Sequence, residues 1–172
     1  GLFNTKNGFW WRDANFVPPF TEEDGNDCYW SRGNGWVYVA LARVMEIIGK
    51  KDKYYFELLN DFTQMSEAIA GVQRDDGFWN VSLVSPATFG GKETTGTSLF
   101  LYGMSWGIRY GILDNNKYRK IVDKAWRALR VDSVHPDGFL GYIQGTGKAP
   151  TESQPVNYTR APDFEDFGTG CF

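Results

Sequence analysis

Histidine is almost absent from this chain: His135 stands alone among 172 residues. Cysteine is nearly as scarce. Cys28 and Cys171 lie far apart and form no CxxC pair, so neither a disulfide framework nor a His-rich metal site can be built from them. We therefore expect no metal and no cofactor. Basic residues are not in excess either. The 18 Lys and Arg against 21 Asp and Glu leave a formal charge of −3, which argues against binding nucleic acid through its phosphates. No run approaches the roughly 20 apolar residues of a membrane span, and no basic segment precedes an apolar one in the manner of a signal peptide. Nucleic acid and membrane are thus not expected partners. An acidic small molecule stays open, because local arginines matter more than net charge.

Aromatic residues are abundant. They make up 17% of the chain, including seven tryptophans, and several stand in glycine-rich polar stretches rather than on periodic apolar faces. Such rings can stack on sugars or simply pack a loop. The periodic segments are helical. Residues 35–48 place Val37, Leu41, Val44, Ile47 and Ile48 on one face. Residues 53–73 do the same with Tyr55, Leu58, Leu59, Phe62, Met65, Ile69 and Val72. Residues 97–110 follow with Leu99, Tyr102, Trp106 and Ile108. Residues 115–131 follow with Tyr118, Ile121, Val122, Ala125, Trp126 and Leu129, with Asn115 as the expected cap.

The connectors repeat. "GFW" occurs at 8–10 and 77–79, and "GFL" at 138–140; each precedes a glycine-marked helix start, "RGNGW" at 32–36, "TTGTS" at 94–98 and "FGTGC" at 167–171. The unit is a turn, a loop and a helical hairpin, recurring about every 65 residues. Hairpins of this kind stack into an α-solenoid or close into a ring. The loops are longer than solenoid loops and rich in aromatics, which favours an all-α, closed α/α toroid with the loops gathered at one end. The chain starts at a connector and stops at a helix start. We expect residues 1–172 to form part of one such domain. The remainder of that domain, or a second copy, would cover the open side.

The segments "NGFWWRDANF", "CYWSRGNGWVYVALARV", "QRDDGFWNVSL", "GGKETTGTSLFLYGMSWG", "HPDGFLGYIQGTG" and "DFEDFGTGCF" together resemble glycoside hydrolase families 88 and 105, the unsaturated uronyl hydrolases. The unsaturated rhamnogalacturonyl hydrolases of family 105 are the type it looks most like. The likeness runs through essentially the whole chain, and Trp30–Trp36 is its most specific piece. It implies an (α/α)6 toroid of six hairpins, of which this chain holds roughly the C-terminal half. It also implies release of a Δ4,5-unsaturated uronic acid from lyase-generated oligosaccharides. In that chemistry an aspartic acid protonates the C4=C5 vinyl ether and water adds at C5, with no acid–nucleophile pair across the anomeric carbon. The resemblance puts the catalytic aspartate upstream of Gly1, so the catalytic acid is assigned to no residue here. Relatives often carry a histidine in the loop that here reads "GFWWRDANF", where this chain has Arg12.

On that reading the substrate-binding candidates are Arg32, Trp36, Trp30, Trp11, Arg12, Asp13 and Asn34. Arg32 offers a bidentate fork for a carboxylate at a helix N-terminus; its alternative is to stack on a tryptophan or satisfy loop carbonyls. Trp36 and Trp30 are candidate sugar platforms, or core residues. Gly33 and Gly35 would allow close approach of a ligand, or of another helix. Asp13 is a secondary polar contact or proton-handling group, or the ion-pair partner of Arg12 or Arg32. Lys92, Glu93 and Thr94 could reach substrate, against a capping role for Thr94 or Thr95. Asp163, Glu165 and Asp166 read as helix-start carboxylates, and His135 as a turn residue. A non-catalytic, carbohydrate-binding toroid relative remains the alternative to an enzyme, with a different α/α toroid enzyme a third reading that rests on architecture alone.

Overall fold

Four long helices follow from the four periodic segments: α1 (Ser31–Ile48), α2 (Tyr55–Gly71), α4 (Thr94–Arg109) and α5 (Asn115–Ala128). The structure, a computed structural model, describes residues 1–147, 151–152, 154–159 and 165–172, with only the backbone at 165. Shorter elements fill the connectors: β1 (Phe3–Asn4), β2 (Phe9–Trp10), β3 (Trp79–Asn80), α3 (Pro86–Phe89), β4 (Lys92–Glu93) and α6 (Glu165–Cys171). β1 pairs antiparallel with β2, and β3 with β4, so each of the first two connectors holds a two-residue ladder that the helical periodicity does not reveal.

The repeat is physical. Gly8, Gly77 and Gly138 all take the left-handed backbone, at φ of 77°, 96° and 88°, which favours glycine. The preceding Asn7, Asp76 and Asp137 each accept the N–H two residues on, an Asx turn that locks the bend. Gly8 sits against the backbone of Gln64 in α2, and Gly77 against that of Lys124 in α5; a Cβ would lie 2.9 and 2.6 Å from those carbonyl oxygens. These two turns thus dock on the second helix of their own hairpins.

The hairpins meet along α1 and α4, which run side by side in the same direction. Gly96 faces Ser31, Gly35 faces Leu99, and Gly103 faces the Tyr38 ring. Added Cβ atoms there would come within 2.5–2.8 Å, or 2.4 Å at Tyr38, so glycine sets the close approach of the two helices. Gly35 therefore serves helix packing. The core that forms around them holds Tyr38, Met45, Phe62, Met65, Ile69, Trp79, Phe100, Met104 and Trp106. Tyr38 stacks on Phe62 at 4.5 Å between ring centres, and its hydroxyl shares a 2.6 Å hydrogen bond with Ser66.

The buried stripe of α1 differs from the expected one. Tyr38, Leu41, Ala42 and Met45 face the core, whereas Ile47 is 79% exposed and Val44 is also on the surface. Hydropathy alone favours Val and Ile; the paired tyrosine hydroxyl and the small alanine make the other face pack better. Tyr102 and Trp126 are likewise exposed, and Phe100 and Met104 join the expected Leu99 and Trp106 as buried residues of α4. Two caps are corrected. Asp114, not Asn115, caps α5 by accepting the Lys117 N–H at 2.8 Å. Glu93, not Thr94 or Thr95, caps α4. No helix among the described residues is long and apolar enough to cross a membrane.

Candidate functional site

At the N-terminal end of α1 the first connector, the helix itself and residues 146–147 enclose a cavity of about 490 Å³. Trp11, Arg12, Trp30, Arg32, Asn34 and Trp36 all line it, together with Trp10, Gly33 and Thr146. Six of the seven candidates thus come to one place. Asp13 does not line it.

Arg32 is held from below. Its guanidinium donates to the carbonyl oxygen of Gln144 and, at 2.9 Å, to that of Gly145, and lies 4.9 Å from the centre of the Phe167 ring. Satisfying loop carbonyls was one of the two roles open to it. No carboxylate pairs with it among the described residues. Arg12 is clamped differently. It donates to the Gly147 carbonyl at 3.0 Å, sits 4.8 Å over the Trp30 ring, and has Asp13 3.7 Å from its Nε. The Arg12–Asp13 pair is therefore close to neutral, and Arg32 carries the local positive charge.

The tryptophans are not equivalent. Trp30 is 9% exposed and packs with Phe16 and Cys28, with Arg12 over its face. Trp11 tilts against Tyr29 at 5.7 Å. Trp36 is 50% exposed and lines the cavity. Behind Trp30, burial pushes the Cys28 thiol far up, which keeps it protonated and unreactive, and pushes the buried Glu22 carboxyl up as well.

Asn34 lines the cavity, but its polar atoms are spent inside the protein. Its Oδ1 accepts the Trp10 N–H at 2.8 Å, and its Nδ2 donates to the carbonyls of Trp10 and Trp30 at 3.0 Å each. It fastens the first connector to α1 and leaves no group for a ligand. Asp13 accepts the Asn15 N–H at 2.8 Å and caps the turn Ala14–Phe16. Its carboxylate serves that turn and lies beside Arg12.

Lys92, Glu93 and Thr94 do not reach the cavity. Lys92 pairs with Asp132 at 2.5 Å, and Thr94 is buried, donating to the Gly141 carbonyl at 2.7 Å. His135 stacks on Tyr158 at 3.7 Å between ring centres, a packing role. Asp163 lies outside the described residues, as does the side chain of Glu165, and Asp166 accepts the Phe167 N–H at the start of α6. Gln144, Gly145, Thr146 and Gly147 were not singled out from sequence. The signal available was the polar, glycine-containing "IQGTG" after the third turn, but nothing local ties it to residues more than 100 positions earlier.

α1 itself starts without a side-chain cap: Trp30 at the cap position makes no such bond. The amides of its first turn, at Arg32 and Gly33, therefore add positive potential on the cavity side.

A family model described as Glycosyl Hydrolase Family 88 matches residues 1–172. The chain belongs to that family. Two curated relatives are both named unsaturated 3S-rhamnoglycuronyl hydrolase. This family 88 chain is 37% identical to the one from Formosa agariphila over 99% of its length and 45% of the relative's. It is 31% identical to the one from Alteromonas sp. over 99% of its length and 39% of the relative's. A solved family 88 structure from Bacteroides vulgatus is 37% identical and superposes with a TM-score of 0.92, over 99% of this chain and 49% of that one. A second solved structure, titled Polysaccharide Lyase BACCELL_00875, is 33% identical with a TM-score of 0.91, over 99% and 48%. The family 88 chain thus spans about half the length of the relatives it matches. Its helical hairpins share the fold of solved family 88 proteins.

Proposed function

We propose that the intact protein removes a Δ4,5-unsaturated uronic acid from the non-reducing end of lyase-generated oligosaccharides, and that this chain supplies the wall that binds the sugar's carboxylate. The observation that carries the reading is Arg32: a guanidinium with no carboxylate partner among the described residues, at an uncapped helix start, in a cavity lined with tryptophan. A guanidinium fork fits a carboxylate, and an exposed indole fits a pyranose face. The names of the two curated relatives agree with an unsaturated uronyl substrate, and the fold is that of the family.

In the proposed reaction an acid group delivers a proton to C4 while water adds through its oxygen to C5 and returns a proton to the acid. The C5 hemiketal opens by breaking its bond to the ring oxygen. The hemiacetal left at C1 then expels the neighbouring sugar. Arg32 holds and orients the carboxylate attached to C5, and Trp36 covers one ring face. No carboxylate lines the cavity among the described residues, so the acid is supplied from outside this wall. We also place residues 1–172 within one toroid domain, whose remainder covers apolar surface such as Ile47 and Phe56.

The missing carboxylate equally suits a carbohydrate-binding relative without catalysis, and one solved relative is titled a lyase. One assay separates the three. The intact protein is mixed with unsaturated uronyl disaccharides and, separately, with the parent polysaccharide, and the ultraviolet band of the C4=C5 bond is followed. A hydrolase makes the disaccharide band decay. A lyase makes a band grow from the polymer. A binder changes neither, and either of the last two results would sink the hydrolase reading.

Trp36→Ala is expected to raise KM for the disaccharide about fivefold, in line with an aromatic contact of about 1 kcal/mol. Because the indole is half exposed, stability should stay within about 0.5 kcal/mol. Steady-state kinetics with a denaturant titration checks both.

A further inference from the structure

Glu93 is a carboxylate with no exposed surface, and it takes part in no ion pair among the described residues. Five donors surround it instead. Its Oε1 accepts from the Thr95 hydroxyl at 2.6 Å and from the N–H groups of Thr95 and Gln144 at 3.2 Å each. Its Oε2 accepts from the Gly96 N–H at 2.6 Å and the Ser31 hydroxyl at 3.2 Å. Capping α4 accounts for the contacts to Thr95 and Gly96. It does not account for the other two.

Those two contacts lie on either side of Arg32. Ser31 immediately precedes it at the start of α1. Gln144 is the residue whose carbonyl accepts from its guanidinium, and the next carbonyl, that of Gly145, takes the second bond. One buried carboxylate therefore ties down both the backbone that carries the arginine and the loop that holds its head. A charged acceptor makes stronger hydrogen bonds than a neutral one, and the site excludes water. The guanidinium direction is set at a distance from the cavity, which Glu93 does not line.

We propose that Glu93 is a positioning residue for anion recognition: it holds Ser31 and Gln144 so that the Arg32 guanidinium faces the cavity in the orientation a carboxylate needs. This rests on the reading of Arg32 as the carboxylate-binding group. Glu93 does not touch the sugar; it acts through Arg32. The consequence is specific to charge. Loosening the clamp should weaken binding of a free carboxylate and leave its ester unaffected, because an ester offers no bidentate anion to a guanidinium.

The test compares Glu93→Gln, Ser31→Ala and Arg32→Ala in the intact protein, using an unsaturated uronyl disaccharide and its methyl ester. Glu93→Gln keeps the shape, but only its amide oxygen can accept, so one of the two sets of donors is left facing an NH2 group. Ser31→Ala cuts a single link and leaves the α4 cap in place, so it reports even if the first variant folds poorly. Glu93→Gln is expected to raise KM for the acid about tenfold and Ser31→Ala about threefold, the scale of one charge-assisted hydrogen bond or part of one. In both, kcat stays within about twofold and KM for the ester is unchanged; in Glu93→Gln, amide exchange at Gln144 also speeds up. The inference fails if both variants bind the acid normally while Arg32→Ala does not. It also fails if acid and ester weaken equally, since that is the mark of general damage. An Arg32→Ala protein with a normal KM would sink the carboxylate reading itself, and this inference with it.

Discussion

Arg32→Ala should lower kcat/KM for unsaturated uronyl disaccharides about 100-fold in the intact protein, a loss of about 2.7 kcal/mol of transition-state stabilisation. Most of it should appear in KM, since a carboxylate contact is made in the ground state and kept through the reaction. The side chain also has an internal duty. Its bonds to the Gln144 and Gly145 carbonyls and its place over Phe167 tie the 144–147 segment to α1 and α6. Removing them should cost about 1–3 kcal/mol of stability as well. Arg32→Lys separates the two duties. An ammonium keeps the charge but cannot fork to two carbonyls and a carboxylate, so KM should recover only in part. Kinetics and denaturant titration on the same three proteins give both numbers. A full loss of stability with an unchanged KM in the folded fraction would make Arg32 purely structural.

Phe62→Ala should be the most destabilising change, at about 3–5 kcal/mol. The ring has no exposed surface. It stacks on Tyr38 at 4.5 Å and meets the edge of Trp106 at 5.4 Å between ring centres, so it joins α1, α2 and α4 at one point. Gly107 approaches it from α4, where an added Cβ would lie 3.1 Å from the ring. Glycine on that helix and a ring on this one fit as a pair, and little can move in to fill the space an alanine would leave. Denaturant titration should show a lower midpoint. A loss below 1 kcal/mol would mean that the core relaxes around the cavity. Phe62 does not line the cavity, so KM in the folded protein should change little.

Much of this organisation is legible in the chain. The turns at Gly8, Gly77 and Gly138 carry a sequence mark because a left-handed backbone and an Asx turn each demand particular residues. The helices carry one because burial imposes a period. The cluster around Arg32 carries one because arginine, tryptophan and glycine seldom crowd a helix start for packing alone. The parts that stayed hidden are those decided between distant segments. The α1 stripe turned out to include Tyr38 because Ser66, 28 residues away, satisfies its hydroxyl. Asn34 looked like a ligand contact because nothing nearby in sequence says that Trp10 takes its acceptor and one of its donor bonds. Glu93 looked like a substrate contact, since its links to Ser31 and Gln144 run over 62 and 51 residues. Periodicity and turn chemistry are local; the satisfaction of buried polar groups is not.

The account is tested most directly by the structure of the intact protein with an unsaturated uronyl disaccharide bound, under conditions where turnover is blocked. The sugar carboxylate should lie within about 3 Å of the Arg32 guanidinium, with the ring against Trp36. A disaccharide bound elsewhere, or one in this cavity with its carboxylate turned away from Arg32, would contradict it.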